Sequence, residues 1–316
     1  MRRRHALVAL ALVAWTTGSV LGAASTPEPA AAAPPWFEIG LAHAGYVPAL
    51  DGTSPVFILF IGSDARPGQP VEGERTDSIH IVGINPAKKE ASILGFPRDS
   101  YVEIPGHGMN KINTAMFYGG PDLTVQTVES LTGIKIAYWV LTSFEGITAM
   151  VNEIGGLKID VPFAMHDTYS HADFEPGQQR MNGKNVLAFT RDRHSLPAGD
   201  FGRSENQGIV FISALTQFRQ EFRKDPSRVF DWVAAGMRNV DSSVPLDQVL
   251  TLAFTASMID PDTVQNMVVP GTTASAGNMS IVQLSSEAQG IYADMKKDGL
   301  VSKRNVPPSP NALPAG

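Results

Sequence analysis

Val56, Phe57, Ile58, Leu59, Phe60 and Ile61 form an unbroken apolar run that stops at Gly62. A run of this kind suits a strand covered on both faces, so it demands layers above and below a sheet. The neighbouring segments supply both partners and covers. Residues 78–84 alternate and stop at Asn85 and Pro86, and residues 90–96 form another strand ended by Pro97. The short turn between those two predicts an antiparallel hairpin. Residues 135–141 and 157–161 read as further strands. Helices are expected at 122–131, at 144–154, where Phe144, Ile147, Val151 and Ile154 share a face before Gly155 and Gly156, and at 203–224. In the last of these Phe211, Leu215, Phe218 and Phe222 step by 4, 3 and 4. Strands alternating with helices predict a layered α/β fold.

The ends of the chain read differently. Residues 1–24 place three arginines before an apolar stretch, which predicts an export signal that is either cleaved after its small residues or kept as a membrane anchor. Residues 25–50 start as a Pro/Ala-rich linker, residues 51–295 form one domain, and residues 296–316 end as a flexible Pro-rich tail. The whole chain carries a net charge of −6; without its three N-terminal arginines, 22 basic groups face 31 acids, a balance of −9. That sign argues against a nucleic-acid partner. The absence of cysteine excludes disulfides, thiolate metal sites and a cysteine nucleophile.

Against that acidic background, arginines gather. Arg191, Arg193 and Arg203 fall within 13 positions, with Asp200 and Gln207 beside them. Arginine presents a fixed fork of donors that matches phosphate oxygens and does not titrate away. Arg191 and Arg193, two apart, share one side of an extended segment. Arg203 and Gln207 share a helix face with Phe211 and Leu215. Upstream, Asp64 and Arg66 follow the first strand, Arg75 and Asp77 precede the second, and Arg98 and Asp99 follow the third. If residues 78–84 run antiparallel to 56–61, Asp77 comes beside Asp64, and two carboxylates leave room for waters and phosphate oxygens around Mg²⁺. A single Arg/Asp pair would read as a surface salt bridge. A set collected at strand ends and a helix start reads as a grip on a pyrophosphate with a metal ion. His166, Asp167, His171 and Asp173 make only a loose metal-like spacing, and His194 stands beside the arginines. No phosphate-binding P-loop, serine-hydrolase elbow or zinc-protease motif occurs.

Taken in order, these pieces resemble the LytR-CpsA-Psr (LCP) family of cell-wall glycopolymer transferases. They are Gly62 to Arg66, Arg75 to Asp77, Phe96 to Asp99, Ile104 to Gly106 with Lys111 to Asn113, Gly155 and Gly156 with Val161 and Pro162, Arg191 to Arg193, and Asp200 to Arg203 with Gln207. The resemblance implies a three-layer α/β/α sandwich with a central mixed β-sheet. It implies transfer of a glycan from a polyprenyl-pyrophosphate carrier to a hydroxyl of peptidoglycan or another wall polymer, as a phosphodiester, at the outer face of the membrane. By motif match, Asp64 and Asp77 sit at Mg²⁺ (or Mn²⁺), and Arg66, Arg75, Arg98, Lys111, Arg191, Arg193, Arg203 and Gln207 hold the pyrophosphate. Asp64, Arg98 and Asp99 serve the chemistry, with Asp64 or Asp99 as base. Where many relatives carry arginine before the glutamine, this chain has Asn206. A lipid tail needs an apolar tunnel, and the faces of Phe144, Ile147 and Val151 and of Phe211, Leu215 and Phe218 are its expected lining. Two alternatives stay open: a pyrophosphate hydrolase using water as acceptor, and a non-catalytic binder of anionic wall polymers.

Overall fold

The expected buried strand is the central one of a seven-stranded sheet in a computed structural model that describes residues 37–42, 54–66, 69–71, 74–237, 240–242, 244 and 246–312. Residues 1–24, expected as a signal or anchor, fall outside these. In chain order come β1 (Phe37–Leu41), β2 (Val56–Ser63), β3 (Thr76–Asn85), β4 (Glu90–Gly95), the hairpin β5 (Tyr101–Ile104) and β6 (Gly108–Lys111), α1 (Thr114–Thr132), β7 (Tyr138–Thr142), α2 (Phe144–Glu153) and β8 (Leu157–Val161). Then follow β9 (Met165–Asp167), β10 (Ala172–Phe174), β11 (Gly177–Met181), α3 (Gly183–Arg191), α4 (Asp200–Lys224), α5 (Arg228–Met237), β12 (Val240–Ser242) and α6 (Leu246–Met258). The order closes with β13 (Gln265–Val268), β14 (Gly271–Ala276), β15 (Met279–Leu284) and α7 (Ala288–Asp298).

Seven strands form the central sheet in the order β12-β1-β7-β2-β3-β4-β13. It is mixed: β2 pairs parallel with β7 and antiparallel with β3, and β3 and β4 make the expected hairpin. Alternation on β2 decides which face each side chain meets. Phe57, Leu59 and Ile61 join Ile112, Met116, Val128, Ile291 and Met295, so α1 and α7 cover that face. Val56 and Ile58 join Tyr138, Leu215, Val249 and Leu252, so α4 and α6 cover the other. The result is the α/β/α sandwich.

Two glycines set how closely α4 lies on the sheet edge. A Cβ on Gly95 would fall 2.3 Å from Ser204 Oγ and 2.7 Å from His80 Nε2, and one on Gly208 would fall 1.9 Å from Asn266 Oδ1. Without side chains at these points, the first turns of α4 press onto β4 and β13 and carry Arg203 to the strand ends.

Three expectations need correction. The 25–50 linker contains β1, which adds to the sheet between β12 and β7. The expected flexible tail is packed through residue 312. Val301 and Asn311 are buried, and the Asn311 backbone N–H donates to Glu205 Oε2 at 3.2 Å and its amide to the Gly202 carbonyl at 3.1 Å. Arg191 and Arg193 do not share an extended strand. Asn182 caps α3 by accepting from the Asn185 N–H at 3.0 Å, and Arg191 ends that helix while Arg193 follows it.

Candidate active site at the mouth of an apolar cavity

β2 and β3 end together. Gly62 pairs with Ser78, a register shift follows, and Ser63 pairs with Thr76. Such a bulge re-aims the residues beyond it. The Asp64 N–H then donates to the Arg75 carbonyl at 2.9 Å, which fixes the Asp64 side beside Asp77. The predicted meeting of two carboxylates therefore occurs. Burial first, then the Asp77 charge, push the Asp64 carboxyl above its ordinary range, while Arg98 and Arg75 pull it back.

Asp77 is the hub. Its Oδ1 is engaged by Arg98 Nη1 and lies 3.6 Å from Arg203 Nη1. Arg203, 5% exposed, also holds Asp200 Oδ1 at 2.9 Å. Lys111 Nζ lies 3.2 Å from Asp99 Oδ2, and Arg98 Nε lies 3.6 Å from Asp99 Oδ1. Burial would depress the Arg98 guanidinium, but Asp77 outweighs it and holds it above its usual value. Gln207 Nε2 donates to the backbone carbonyls of Asp77 and Thr190, each at 3.2 Å, and so ties β3, α3 and α4 together. The Nε atoms of Arg98 and Arg203 are buried without an acceptor, as are Asp99 Oδ1 and Asp200 Oδ2 without a donor. Buried donors without partners are costly, so these forks suit an anion that reaches them.

Below the cluster runs a cavity of about 510 Å³ between the sheet and α2, α4, α5 and α6. Ser63, Asp77, Ser78, Thr142, Ser143, Thr190, Arg191, Arg203 and Gln207 surround its polar end. From there it follows β2, β3 and β7 back to Ile58, Ile84 and Tyr138, a path of about five strand residues or ~17 Å. All six expected lining residues, Phe144, Ile147, Val151, Phe211, Leu215 and Phe218, line it.

Asp64, Arg75, Asp77, Arg98, Asp99, Lys111, Arg203 and Gln207 thus meet in one region. Arg191 joins the cavity rim separately, its guanidinium 4.7 Å from the centre of the Phe144 ring. Arg66 and Arg193 are exposed, and among the described residues no contact ties either side chain to the cluster. Asn206 is fully buried and turned toward Asn311, 3.5 Å away, rather than into the cavity. In the loose His/Asp set, His166 pairs with Asp173, while Asp167 pairs with His194 from outside the set. Sequence reading missed Thr142 and Ser143, although they follow a predicted strand directly; Ser143 also caps α2 by accepting from the Gly146 N–H at 3.1 Å.

His80 was missed as well. It is fully buried beneath Ser204, with Nε2 3.1 Å from the Ser204 carbonyl and Nδ1 3.0 Å from Ser78 Oγ. A carbonyl only accepts, so Nε2 carries the proton and the Ser78 hydroxyl donates to Nδ1. Burial pushes the imidazole down from 6.5 to about 4. Between those values the unfolded chain binds a proton that the folded chain refuses, so stability falls as pH drops through this window. The expected contribution is about 3 kcal/mol lost from neutral pH to about 4. Denaturant titrations of His80→Gln across that range should show a correspondingly flatter slope; equal slopes would assign the effect elsewhere.

A model of the LytR_cpsA_psr family matches residues 39–297. The polyisoprenyl-teichoic acid–peptidoglycan teichoic acid transferase TagU of Bacillus licheniformis is 36% identical over 185 residues, 55% of this chain and 58% of that protein. TagV of Bacillus subtilis, named for the same activity, is 32% identical over 220 residues, 65% of this chain and 55% of that protein. The chain spans less than two thirds of the length of these curated relatives. The crystal structure of B. subtilis TagV aligns with a TM-score of 0.68 at 26% identity, covering 78% of this chain and 97% of that one. With the family model matched from β1 to α7 and a TagV-like sandwich carrying the clustered motifs, the chain belongs to the LytR-CpsA-Psr family.

Proposed function

We propose that this protein transfers a glycopolymer from a polyprenyl-pyrophosphate carrier to a hydroxyl of peptidoglycan or a related wall polymer. One observation carries the reading: a cluster of arginines and aspartates stands at the mouth of a long apolar cavity. That pairing fits an amphiphile with a doubly phosphorylated head and a hydrocarbon tail. The names of the TagU and TagV relatives support the same substrate class. The acceptor oxygen attacks the phosphorus that bears the glycan, the bond to the bridging oxygen breaks, and polyprenyl phosphate leaves. The hydroxyl proton passes to a carboxylate, for which Asp64 and Asp99 are the candidates. Phosphoryl transfer of this kind depends on positioning and charge neutralisation, which Arg98 and Arg203 supply. The site faces outward if residues 1–24 act as an export signal or anchor.

Mg²⁺ fits the donor set. Asp64 and Asp77 offer hard oxygens, Asp77 Oδ2 is left over from the Arg98 and Arg203 contacts, and the Asp64 carboxyl, raised by burial and then by the Asp77 charge, stands beside it. The ion would take its other ligands from water and phosphate and neutralise charge on the phosphoryl oxygens. A raised carboxyl contributes stability below the unfolded value of 3.8 and loses it as pH rises through the folded value. Without divalent ions, Asp64→Asn should therefore melt higher than the parent at neutral pH, with the difference closing toward acid. Adding Mg²⁺ should raise the parent's melting temperature more than the variant's; an equal rise in both removes Asp64 from the metal site.

The function is tested by incubating the protein with a synthetic polyprenyl-pyrophosphate glycan, Mg²⁺ and peptidoglycan fragments. Glycan joined to the fragments together with released polyprenyl phosphate is expected. Release without joining means hydrolysis, and arginine-dependent binding without release means a binder.

A further inference from the structure

α6 is apolar on two sides. Val249, Leu252, Ala253 and Ala256 wall the cavity. Leu246, Leu250, Phe254 and Met258, each four residues on, make a second stripe turned outward. Leu246, Phe254 and Met258 are 55%, 43% and 45% exposed, and Leu250 is half-buried. Asp247 is the helix's only charged residue. The adjoining helix α5 adds Phe230, 55% exposed. A helix with one apolar stripe on the cavity and a second one facing outward presents that outer stripe to a nonaqueous neighbour.

We propose that this outer face of α5 and α6 rests in the surface of a lipid bilayer, so that the cavity behind α6 receives the hydrocarbon tail directly from the membrane. The proposal rests on the transferase reading above and adds the orientation of the domain. Two features select a bilayer as the occupant. First, the same helix that bears the outer stripe walls the apolar cavity, so only the thickness of one helix separates the stripe from the cavity. Second, the chain returns here from its apolar N-terminal segment. β1 pairs in parallel with β12, which ends four residues before α6 starts. The twelve residues 25–36 that separate the apolar segment from β1 reach at most ~40 Å. If residues 6–24 are kept as an anchor, the tether enters the domain at β1, beside the strand that leads into α6. An interfacial helix seats its apolar side about 5–10 Å into the headgroup boundary, which is the depth of one side-chain stripe.

The chain contains no cysteine, so single cysteines report without background. The full chain is reconstituted in phosphatidylcholine–phosphatidylglycerol vesicles with a fluorophore at Leu246→Cys, Met258→Cys or, on α7 across the sheet, Gln289→Cys. Labels at positions 246 and 258 should be quenched by acyl-chain nitroxide lipids and about fivefold less than position 289 by iodide, as for a side chain below the headgroups. Equal iodide quenching at all three positions would mean that the domain is tethered but not docked. Shielding from both quenchers would mean that a second copy or another segment covers the stripe; either result overturns the proposal. In the same vesicles, Phe254→Glu should lower turnover of vesicle-borne donor about 100-fold, roughly the effect of one charge in the apolar zone, and leave turnover of a detergent-dispersed short-chain donor unchanged. If the parent turns over neither donor, the transferase reading fails, while the quenching pattern still decides the docked face.

Discussion

Replacing Arg203 by alanine is expected to lower transfer from a polyprenyl-pyrophosphate donor by about 100- to 1000-fold, the range for removing one preorganised donor from a developing oxyanion. Three observations set the size. Arg203 is almost fully buried, it bridges Asp200 and Asp77, and its Nε has no acceptor within the protein. Its loss leaves Asp77 with Arg98 alone and leaves Asp200 without its ion-pair partner. Folding should weaken too, by about 3 kcal/mol, because one partner of a buried charged network is removed. Activity is therefore compared at a temperature where both proteins are folded, as judged by circular dichroism. Arg203→Lys separates charge from shape. Lysine restores one cation but not the planar fork that spans two carboxylates, so a folded Arg203→Lys enzyme should recover less than half of the lost transition-state free energy. Full recovery would reduce the role to charge alone, and unchanged turnover in Arg203→Ala would remove Arg203 from the reaction.

The site was legible where its residues sit at the ends of strongly patterned strands. The run 56–61 and the alternating run 78–84 predicted an antiparallel pair, and the observed register brings Asp77 to Asp64 as that pairing requires. The Phe211 and Leu215 stripe likewise carried Gln207 and Arg203 to the same cavity. The shared extended segment expected for Arg191 and Arg193 failed for a local reason: Asn182 starts a helix that the sequence reading did not recognise, and the chain leaves that helix at Asp192 before Arg193. Helix α6 escaped detection because apolar residues on two sides erase the one-sided period that marks an ordinary surface helix. The C-terminal segment resembled a linker in composition, yet Asn311 finds buried partners on α4 that no local pattern reveals. β1 was lost in the same way, because a five-residue strand after a Pro/Ala-rich stretch gains its place only from β7 and β12.

Val140→Trp should separate the head of the substrate from its tail. Val140 lies in the middle of β7, opposite Phe60 in register, and its side chain lines the cavity below the arginine cluster. An indole there occupies space about where the first isoprene units would run. Excluding one unit of about five carbons from an apolar channel forfeits about 3–4 kcal/mol at ~0.8 kcal/mol per carbon, more than about 100-fold in affinity. A donor whose lipid is too short to pass Val140 should lose nothing, because Arg98 and Arg203, proposed to hold the pyrophosphate, are untouched. The folded protein should be as stable as the parent or more so, since the new side chain fills a void instead of opening one. Opposite signs in one variant make the test sharp: binding of the long-chain donor falls while the melting temperature holds or rises. If long- and short-chain donors weaken alike, the indole has disturbed the head site. If neither weakens and the protein stays folded, the tail does not run through this cavity.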